Sequence, residues 1–233
     1  SPAQEQALAQ VQEGFTQQDV CLLHGVTGSG KTQIYIRLME AALAQGKQVL
    51  YLLPEIALTA QVIRRLQRYF GGHIAVYHSR FNDQERVEIW NKVRKGDAGI
   101  VLGARSALFL PFQKLGLVIV DEEHDASYKQ YEPAPRYHAR DAAIYYAAQF
   151  GAHVLLGSAT PSLESYFNAS LGKYQLVTLT ERYGGLQLPN IDVINLNEVS
   201  AKGKVMISPA LKTAIDETIA GGHQVILFQN RRG

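Results

Sequence analysis

Between residues 20 and 160, short apolar runs alternate with longer amphipathic stretches. The runs are rich in Val, Ile and Leu, which is typical of parallel strands buried on both faces. They lie at residues 20–23, 48–53, 73–77, 99–102, 117–120 and 153–156. The stretches between them predict helices at residues 31–45, 57–70, 82–94 and 140–150. This alternation predicts an α/β fold with an open, mainly parallel, doubly wound sheet.

The pattern changes in the last part of the chain. Extended segments at 176–180 and 191–196 flank a loop sequence that contains Gly and Pro, and together they predict a connector. A helix is then predicted from Ser208 to about Ala220, followed by a buried strand at 224–228. We therefore expect a first domain at residues 1–170, a connector at 171–207 and the truncated start of a second domain at 208–233.

Composition and charge exclude several classes of protein. The 233 residues are 46% hydrophobic and 19% charged, which is typical of a globular chain. Because no apolar run approaches the roughly 18 residues of a membrane helix, we expect a soluble, cytoplasmic protein with no membrane partner. The single cysteine, Cys21, permits no internal disulfide. The formal net charge is only +2, and clusters such as Arg64, Arg65 and Arg68 are typical of solvated helix faces.

The sequence GVTGSGKT at residues 25–32 fits the phosphate-binding pattern GxxxxGK[ST] and stands between an apolar strand and a predicted helix. Its glycines allow the loop to curl, so that backbone N–H groups point towards phosphate oxygens. Lys31 is expected to reach the β- and γ-phosphates, and the hydroxyl of Thr32 is expected to bind Mg²⁺. The predicted nucleotide contacts are Gly25, Val26, Thr27, Gly28, Ser29, Gly30, Lys31 and Thr32.

An acidic sequence, DEEH, follows the apolar strand at 117–120. A carboxylate at the end of a buried strand is costly unless it faces an ion or a positive partner. We therefore predict that Asp121 binds Mg²⁺, directly or through water. Glu122 is predicted to orient and deprotonate the water that attacks the γ-phosphate, so that Glu122 and Lys31 are the candidate catalytic residues.

A third polar strand end, GSATP at residues 157–161, follows the run at 153–156. Ligands of open α/β sheets collect at the carboxyl edge of the strands, so Ser158 and Thr160 are expected near Lys31 and Asp121. Together with His124, they are candidates for coupling the γ-phosphate to an adjoining surface.

These three blocks resemble motifs I, II and III of the superfamily 2 helicases. More narrowly, the chain resembles the primosomal replication-restart helicases, and the resemblance covers most of residues 20–165 in the same order. It rests on LLHGVTGSGKT, YLLPEIALTAQ, YHS, VLGARSALFLPF, LVIVDEEHDASYKQYEPAPRYHARDAA and the terminal LFQNRRG.

The resemblance implies a RecA-like domain that uses ATP, ADP and Mg²⁺ to drive 3′-to-5′ movement along DNA at abandoned replication forks. It implies DNA forks and single strands as ligands. Replication-restart proteins and the single-stranded-DNA-binding protein are the implied partners, in the nucleoid region of the bacterial cytoplasm. Zinc is implied for full-length members, although this chain lacks the cysteines that bind it. The chain also lacks the later motifs that supply an arginine finger, so we expect it to bind ATP and to hydrolyse it weakly.

Several further roles follow from the resemblance alone. Either Gln4 or Gln6 contacts adenine. The residues expected to contact DNA are Pro54, Thr59, Arg105, Ser106, Tyr128, Lys129, Tyr131, Arg136 and Tyr137. In the segment 126–140, tyrosines that interleave with Lys129, Arg136 and Arg140 predict a platform on which single-stranded bases stack.

Three other functions share part of this pattern. A restriction or recombination translocase of superfamily 2 shares the phosphate loop and the DEEH box. A small-molecule kinase shares the loop, and a regulatory module binds the nucleotide without hydrolysing it.

Overall fold

The computed structural model describes residues 1–78, 81–182, 190–196 and 207–229. Its helices are α1 (Pro2–Gly14), α2 (Lys31–Ala44), α3 (Ala60–Phe70), α4 (Asp83–Lys95), α5 (Ala139–Ala148), α6 (Leu163–Ser170) and α7 (Pro209–Ala220). Its strands are β1 (Val20–Gly25), β2 (Gln48–Leu52), β3 (Ile74–Tyr77), β4 (Ile100–Gly103), β5 (Leu115–Asp121), β6 (His153–Ser158) and β7 (Gln175–Leu179). The six strands and four helices predicted between residues 20 and 160 are thereby confirmed, with small shifts at their ends.

All seven strands are parallel and form one sheet in the order β3-β4-β2-β5-β6-β1-β7. One face packs against α4, α5 and α6, and the other packs against α1, α2 and α3. Neighbouring residues of β1 show the alternation, because Leu22 faces the first core while Cys21 and Leu23 face the second. The predicted doubly wound α/β fold is confirmed.

The sheet order places the three chemical sequence blocks side by side. Strands β5, β6 and β1 are direct neighbours, and they precede the acidic box, GSATP and the phosphate loop respectively. Parallel strands end at the same edge, so the three loops must meet there. The register supports this, because Asp121 lies opposite Gly157 and His24 lies opposite Ser158.

Two helices were not predicted from the sequence. Helix α1 buries Gln4, Ala7, Val11 and Gly14, which follow helical spacing but include only one large apolar residue. The signal for α6 was also weak, because the helix is short and several of its large apolar residues are exposed. Its start is nevertheless marked by Ser162, whose side chain caps the first turn.

Strand β7 corrects the predicted boundary of the first domain. Residues Gln175–Leu179, which lie within the predicted connector at 171–207, pair with β1 and form the seventh strand of the sheet. The chain divides into a compact unit at Ser1–Leu186 and a second at Gln187–Gly233, so the first unit extends beyond residue 170. An apolar run at the edge of a sheet looks like an isolated extended segment in sequence, because its pairing partner is distant along the chain.

In the second unit, α7 begins where predicted, and the Ser208 side chain accepts a hydrogen bond from the Leu211 amide at 3.1 Å. The buried strand predicted at 224–228 is not formed, and Ile226 and Phe228 are almost fully exposed. The extended segment predicted at 191–196 forms no strand either. A strand needs a partner for its backbone groups, and the described residues of this unit contain none. The predicted loop at 183–189 and the terminal Asn230, Arg231, Arg232 and Gly233 lie outside the described residues.

Candidate nucleotide-binding site

The turn between β1 and α2 has the backbone conformation that its glycines allow. Gly28 has a φ of 78° and Gly30 a φ of 87°, both in the left-handed region that disfavours other residues. Gly30 is also the N-cap of α2, and a Cβ atom there would overlap the side chain of Gln4. The sequence therefore needs glycine at residue 30 both for the turn and for the approach of α1.

A cavity of 760 Å³ lies over this turn at the carboxyl edge of the sheet. It is lined by Ser1, Gln4, Thr27, Gly28, Ser29, Gly30, Lys31, Thr32, Gln33, Arg65, Asp121 and Glu122. Gly25 and Val26 of the predicted nucleotide contacts do not line it. A second cavity, of 320 Å³, lies near the amino ends of β5 and β6, and none of the candidate site residues lines it.

Lys31 lies directly over the turn. Its Nζ donates a hydrogen bond to the carbonyl oxygen of Gly25 at 2.7 Å. An ammonium group has three donors, so this contact leaves two for other acceptors in the cavity. The positive end of α2 adds to the same field, because the helix begins at Lys31. The turn is thus suited to an anion.

Gln4 joins α1 to the turn. Its Nε2 donates to the carbonyl oxygen of Ser29 at 2.9 Å, and its Oε1 accepts from the amino group of Ser1 at 2.9 Å. Gln6 is exposed and does not line the cavity. The Ser29 hydroxyl is buried and has no hydrogen-bond partner among the described residues, which is the environment that a phosphate oxygen would satisfy.

Asp121 is held by tyrosines. The hydroxyl of Tyr35 donates to Oδ1 at 2.8 Å, and that of Tyr51 donates to Oδ2 at 3.1 Å. A third tyrosine, Tyr128, donates to the Asp121 carbonyl oxygen at 2.7 Å. Burial raises the pKa of Asp121, while the two tyrosine hydroxyls and the charge of Lys31 act in the opposite direction. Tyr35 and Tyr51 were not predicted from the sequence as part of the site.

Glu122 has a φ of 48°, the only left-handed backbone of a non-glycine residue among those described. Such a conformation costs energy and is kept where the surrounding structure requires it. Burial, and then the charge of Asp121, raises the pKa of Glu122, and Lys31 and His124 oppose this. A carboxylate with a raised pKa is a better proton acceptor, which suits a general base.

His124 connects the ends of β5 and β6. Its Nδ1 lies 2.8 Å from the Ser158 hydroxyl and 3.7 Å from a Glu122 carboxylate oxygen. Its Nε2 lies 3.4 Å from the hydroxyl of Thr160, whose amide donates to the Ser158 hydroxyl at 3.0 Å. The structure thus brings together the three predicted coupling residues, and they lie beside Glu122.

The donor set of the cavity is compatible with magnesium. Carboxylate and hydroxyl oxygens are the hard ligands that Mg²⁺ prefers, and Asp121 and Thr32 both line the cavity. Within the described ranges, no three His, Cys, Asp or Glu side chains group as a metal site. Thr32 and Asp121 are the lining residues that could hold a Mg²⁺ ion together with phosphate oxygens.

Residues 1–168 match the DEAD/DEAH box helicase family. The chain belongs to this family. It is 46% identical over 92% of its length to the replication restart protein PriA of Bacillus subtilis, of which it covers 27%. It is 47% identical over 92% of its length to the PriA of Haemophilus influenzae, of which it covers 29%. The chain thus spans less than a third of these relatives.

A solved structure of RecG bound to a three-way DNA junction has a similar fold. It aligns with a TM-score of 0.58 and 24% identity over 80% of this chain and 24% of the other. The RecA-like fold implied by the sequence resemblance is confirmed.

Among the described residues, no helix combines the length and the apolar character that crossing a membrane requires.

Next to the helicase acidic box lies a buried ion pair that was not predicted from the sequence. Glu123 is fully buried and accepts hydrogen bonds from Arg140 at 2.9 Å, from Ser165 at 2.7 Å, and from both the amide and the hydroxyl of Ser162 at 2.7 and 2.9 Å. Burial alone would raise the pKa of Glu123, but these bonds outweigh burial and lower it. Arg140, one of the basic residues that interleave with the tyrosines of the predicted platform, is only 6% exposed, so its guanidinium is not available to single-stranded DNA.

The predicted stacking platform of this helicase domain is also corrected. Tyr128 is 1% exposed and its hydroxyl is bound to Asp121, so its ring has no face for a base. Tyr137 is partly buried and meets Phe109 edge to face, with ring centroids 5.1 Å apart. Tyr131 is 67% exposed, and Arg136 is exposed beside Glu132.

Four further residues predicted to contact DNA, which precede the tyrosine-rich segment in the chain, differ from one another in exposure and in hydrogen bonding. Arg105 donates to the carbonyl oxygens of Ser127 and Lys129 at 3.1 and 3.0 Å, so it braces the segment that contains Tyr128. Ser106 is exposed, whereas Pro54 is buried. Thr59 is exposed at the start of α3, where its hydroxyl accepts from the Val62 amide at 3.4 Å.

Proposed function

We propose that the chain is the ATP-binding motor domain of a DNA helicase of replication restart, which couples ATP hydrolysis to DNA unwinding in the 3′-to-5′ direction. The observation that carries the proposal is that Lys31, Asp121 and Glu122 line one cavity over a glycine turn at a helix start. The relatives named replication restart protein PriA support the biological setting. DNA forks and single strands are the proposed ligands, with replication-restart proteins and the single-stranded-DNA-binding protein as partners.

In the proposed reaction, the amides of the turn at 25–32 and the Nζ of Lys31 bind the phosphates of ATP. Thr32 and Asp121 hold Mg²⁺, which when bound neutralises charge that develops on the phosphate oxygens. Glu122 orients the attacking water and takes its proton. Gln4 contacts adenine while it holds the turn through Ser29.

We also propose how the γ-phosphate site communicates with its surroundings. His124 contacts Ser158 and lies beside Glu122, so a shift of the acidic box moves the end of β6 with it. Tyr128 bonds the end of β5, and Arg105 holds the backbone on both sides of Tyr128. Contact of DNA with the surface near Ser106 would therefore reach Asp121 through Arg105 and Tyr128.

A test of the proposed function is the effect of single-stranded DNA on hydrolysis. With the chain in excess over labelled ATP, we expect slow hydrolysis that requires Mg²⁺ and that a single-stranded oligonucleotide accelerates. Slow turnover is expected because Arg65 is the only arginine among the described residues that line the cavity, so no second arginine is there to stabilise the charge of the transition state. An ATPase rate unaffected by DNA would contradict the proposed motor function.

Arg65 is predicted to strengthen binding of the triphosphate. It lies on α3 and lines the same cavity as Lys31 and Asp121, and no ion pair with it is formed among the described residues. We expect Arg65→Ala to weaken ATP binding by about 1 kcal/mol, roughly five-fold, because the guanidinium is solvated. Arg64→Ala is the matched control, since Arg64 does not line this cavity. Equal affinities for all three chains, measured by calorimetry, would remove Arg65 from the site.

Tyr131 is predicted to stack on single-stranded DNA. Its ring is 67% exposed in the segment that also carries Arg136, and stacking of one base contributes about 1 to 3 kcal/mol. We expect Tyr131→Ala to weaken the binding of a fluorescent single-stranded oligonucleotide, measured by anisotropy, at least about five-fold. Tyr145→Ala, which removes a tyrosine of similar exposure from α5, should have no effect. A five-fold loss in both variants would show that Tyr131 has no particular role.

A further inference from the structure

The carboxylate of Asp121 has little hydrogen-bonding capacity left. Oδ1 accepts the hydroxyl of Tyr35 at 2.8 Å and the backbone amide of Glu122 at 3.1 Å. Oδ2 accepts the hydroxyl of Tyr51 at 3.1 Å. Because each carboxylate oxygen offers about two lone-pair sites, Oδ1 is filled and Oδ2 retains one.

The two tyrosines are fixed from different elements of the fold. Tyr35 lies on α2, one helical turn after Lys31, and Tyr51 lies on β2. Their exposures are 0% and 1%, and their rings meet edge to face with centroids 5.7 Å apart. Gly157 at the end of β6 admits the Tyr35 hydroxyl, because a Cβ atom there would overlap it. Neither hydroxyl can turn away from Asp121 without losing a buried hydrogen bond.

We propose that Tyr35 and Tyr51 are positioning residues that fix Asp121 so that a single lone pair, on Oδ2, is offered to Mg²⁺ or to its water shell. The inference rests on the proposed binding of Mg²⁺ and nucleotide. Mg²⁺ demands near-ideal octahedral geometry and is usually held by single carboxylate oxygens and water. The hydrogen bonds from Tyr35 and Tyr51 to Asp121, which we call the tyrosine clamp, prevent both oxygens of Asp121 from binding one ion. The clamp also sets the direction from which an ion can approach Asp121.

The clamp makes a specific prediction for Tyr35→Phe and Tyr51→Phe. Each change removes one hydroxyl and keeps the buried ring, so the packing of the core is preserved. Outer-shell partners of metal ligands typically contribute 10- to 100-fold to metal affinity. We therefore expect the Mg²⁺ concentration for half-maximal binding of fluorescent ADP to rise about 10-fold in each variant. Binding of ADP in the presence of EDTA should be unchanged.

Tyr146→Phe is the matched control, since that hydroxyl donates to the Leu110 carbonyl at 3.2 Å and does not line the cavity. It should have the Mg²⁺ dependence of the unchanged chain. Coincident Mg²⁺ curves for Tyr35→Phe, Tyr51→Phe and the unchanged chain would overturn the clamp alone. Equal loss of ADP binding with and without Mg²⁺ would also overturn it, because the tyrosines would then only support the fold. No Mg²⁺-assisted binding by the unchanged chain would overturn the proposed function and the clamp together.

Discussion

Replacing Arg140 by Ala is expected to destabilise the first unit by about 3 to 5 kcal/mol. The reason is that Glu123 is fully buried, and Arg140 is the cation bonded to it. Removal of the guanidinium leaves a buried carboxylate with hydroxyl and amide donors but no opposite charge. The measurement is the free energy of unfolding in urea at neutral pH, followed by far-ultraviolet circular dichroism.

Arg136→Ala provides the control for Arg140→Ala, because it removes the same charge from an exposed side chain. It should change the free energy of unfolding by no more than about 0.5 kcal/mol. The double variant Arg140→Leu with Glu123→Leu should be more stable than Arg140→Ala alone, since no unpaired charge remains. Arg140→Ala with the same stability as Arg136→Ala would show that the buried pair does not hold the acidic box in place.

Replacing Glu122 by Gln is expected to slow ATP hydrolysis by about 100- to 10,000-fold, the range found for loss of general acid or base catalysis. The amide keeps the size of the side chain but cannot take the proton of the attacking water. Nucleotide affinity should stay within a few-fold, because Lys31 and the turn are untouched. The rate is measured in a single turnover, with the chain in excess over labelled ATP.

Glu40→Gln is the control for Glu122→Gln, because Glu40 is an exposed glutamate on α2 that pairs with Arg37. Its rate should equal that of the unchanged chain. Hydrolysis by Glu122→Gln at the unchanged rate would assign the proton transfer to another group. A loss of nucleotide binding in Glu122→Gln would instead show that Glu122 is needed to build the site.

The strands of the sheet could be predicted because parallel strands buried on both faces are continuously apolar. Helix α1 could not, since its buried face consists largely of small or polar residues such as Gln4 and Gly14. Strand β7 was identified as an extended segment, but its place in the sheet depends on pairing with β1, which lies about 150 residues earlier. Patterns within a short window carry no information about such pairing.

The same distinction applies to the site. The phosphate loop and the DEEH box are local sequences, so their residues could be named in advance. Tyr35 and Tyr51 are separated from Asp121 by 86 and 70 residues along the chain, so no local sequence pattern predicts their contact with it. Tyr128 is a residue whose predicted role was wrong. Tyrosines near basic residues predict an exposed stacking platform, whereas the ring of Tyr128 is buried beneath the site. Composition alone cannot tell which tyrosine of such a loop faces inward.

The central claim is that the turn ending at Thr32 and the acidic box beginning at Asp121 bind a magnesium nucleotide together. It is tested most directly by calorimetric titration of ATP and ADP into the chain, with and without Mg²⁺. We expect nucleotide binding that Mg²⁺ strengthens, and an affinity at least about 100-fold lower in Lys31→Ala. Lys173→Ala, the control at an exposed lysine, should bind with unchanged affinity. No binding by the unchanged chain, or undiminished binding by Lys31→Ala, would contradict the account.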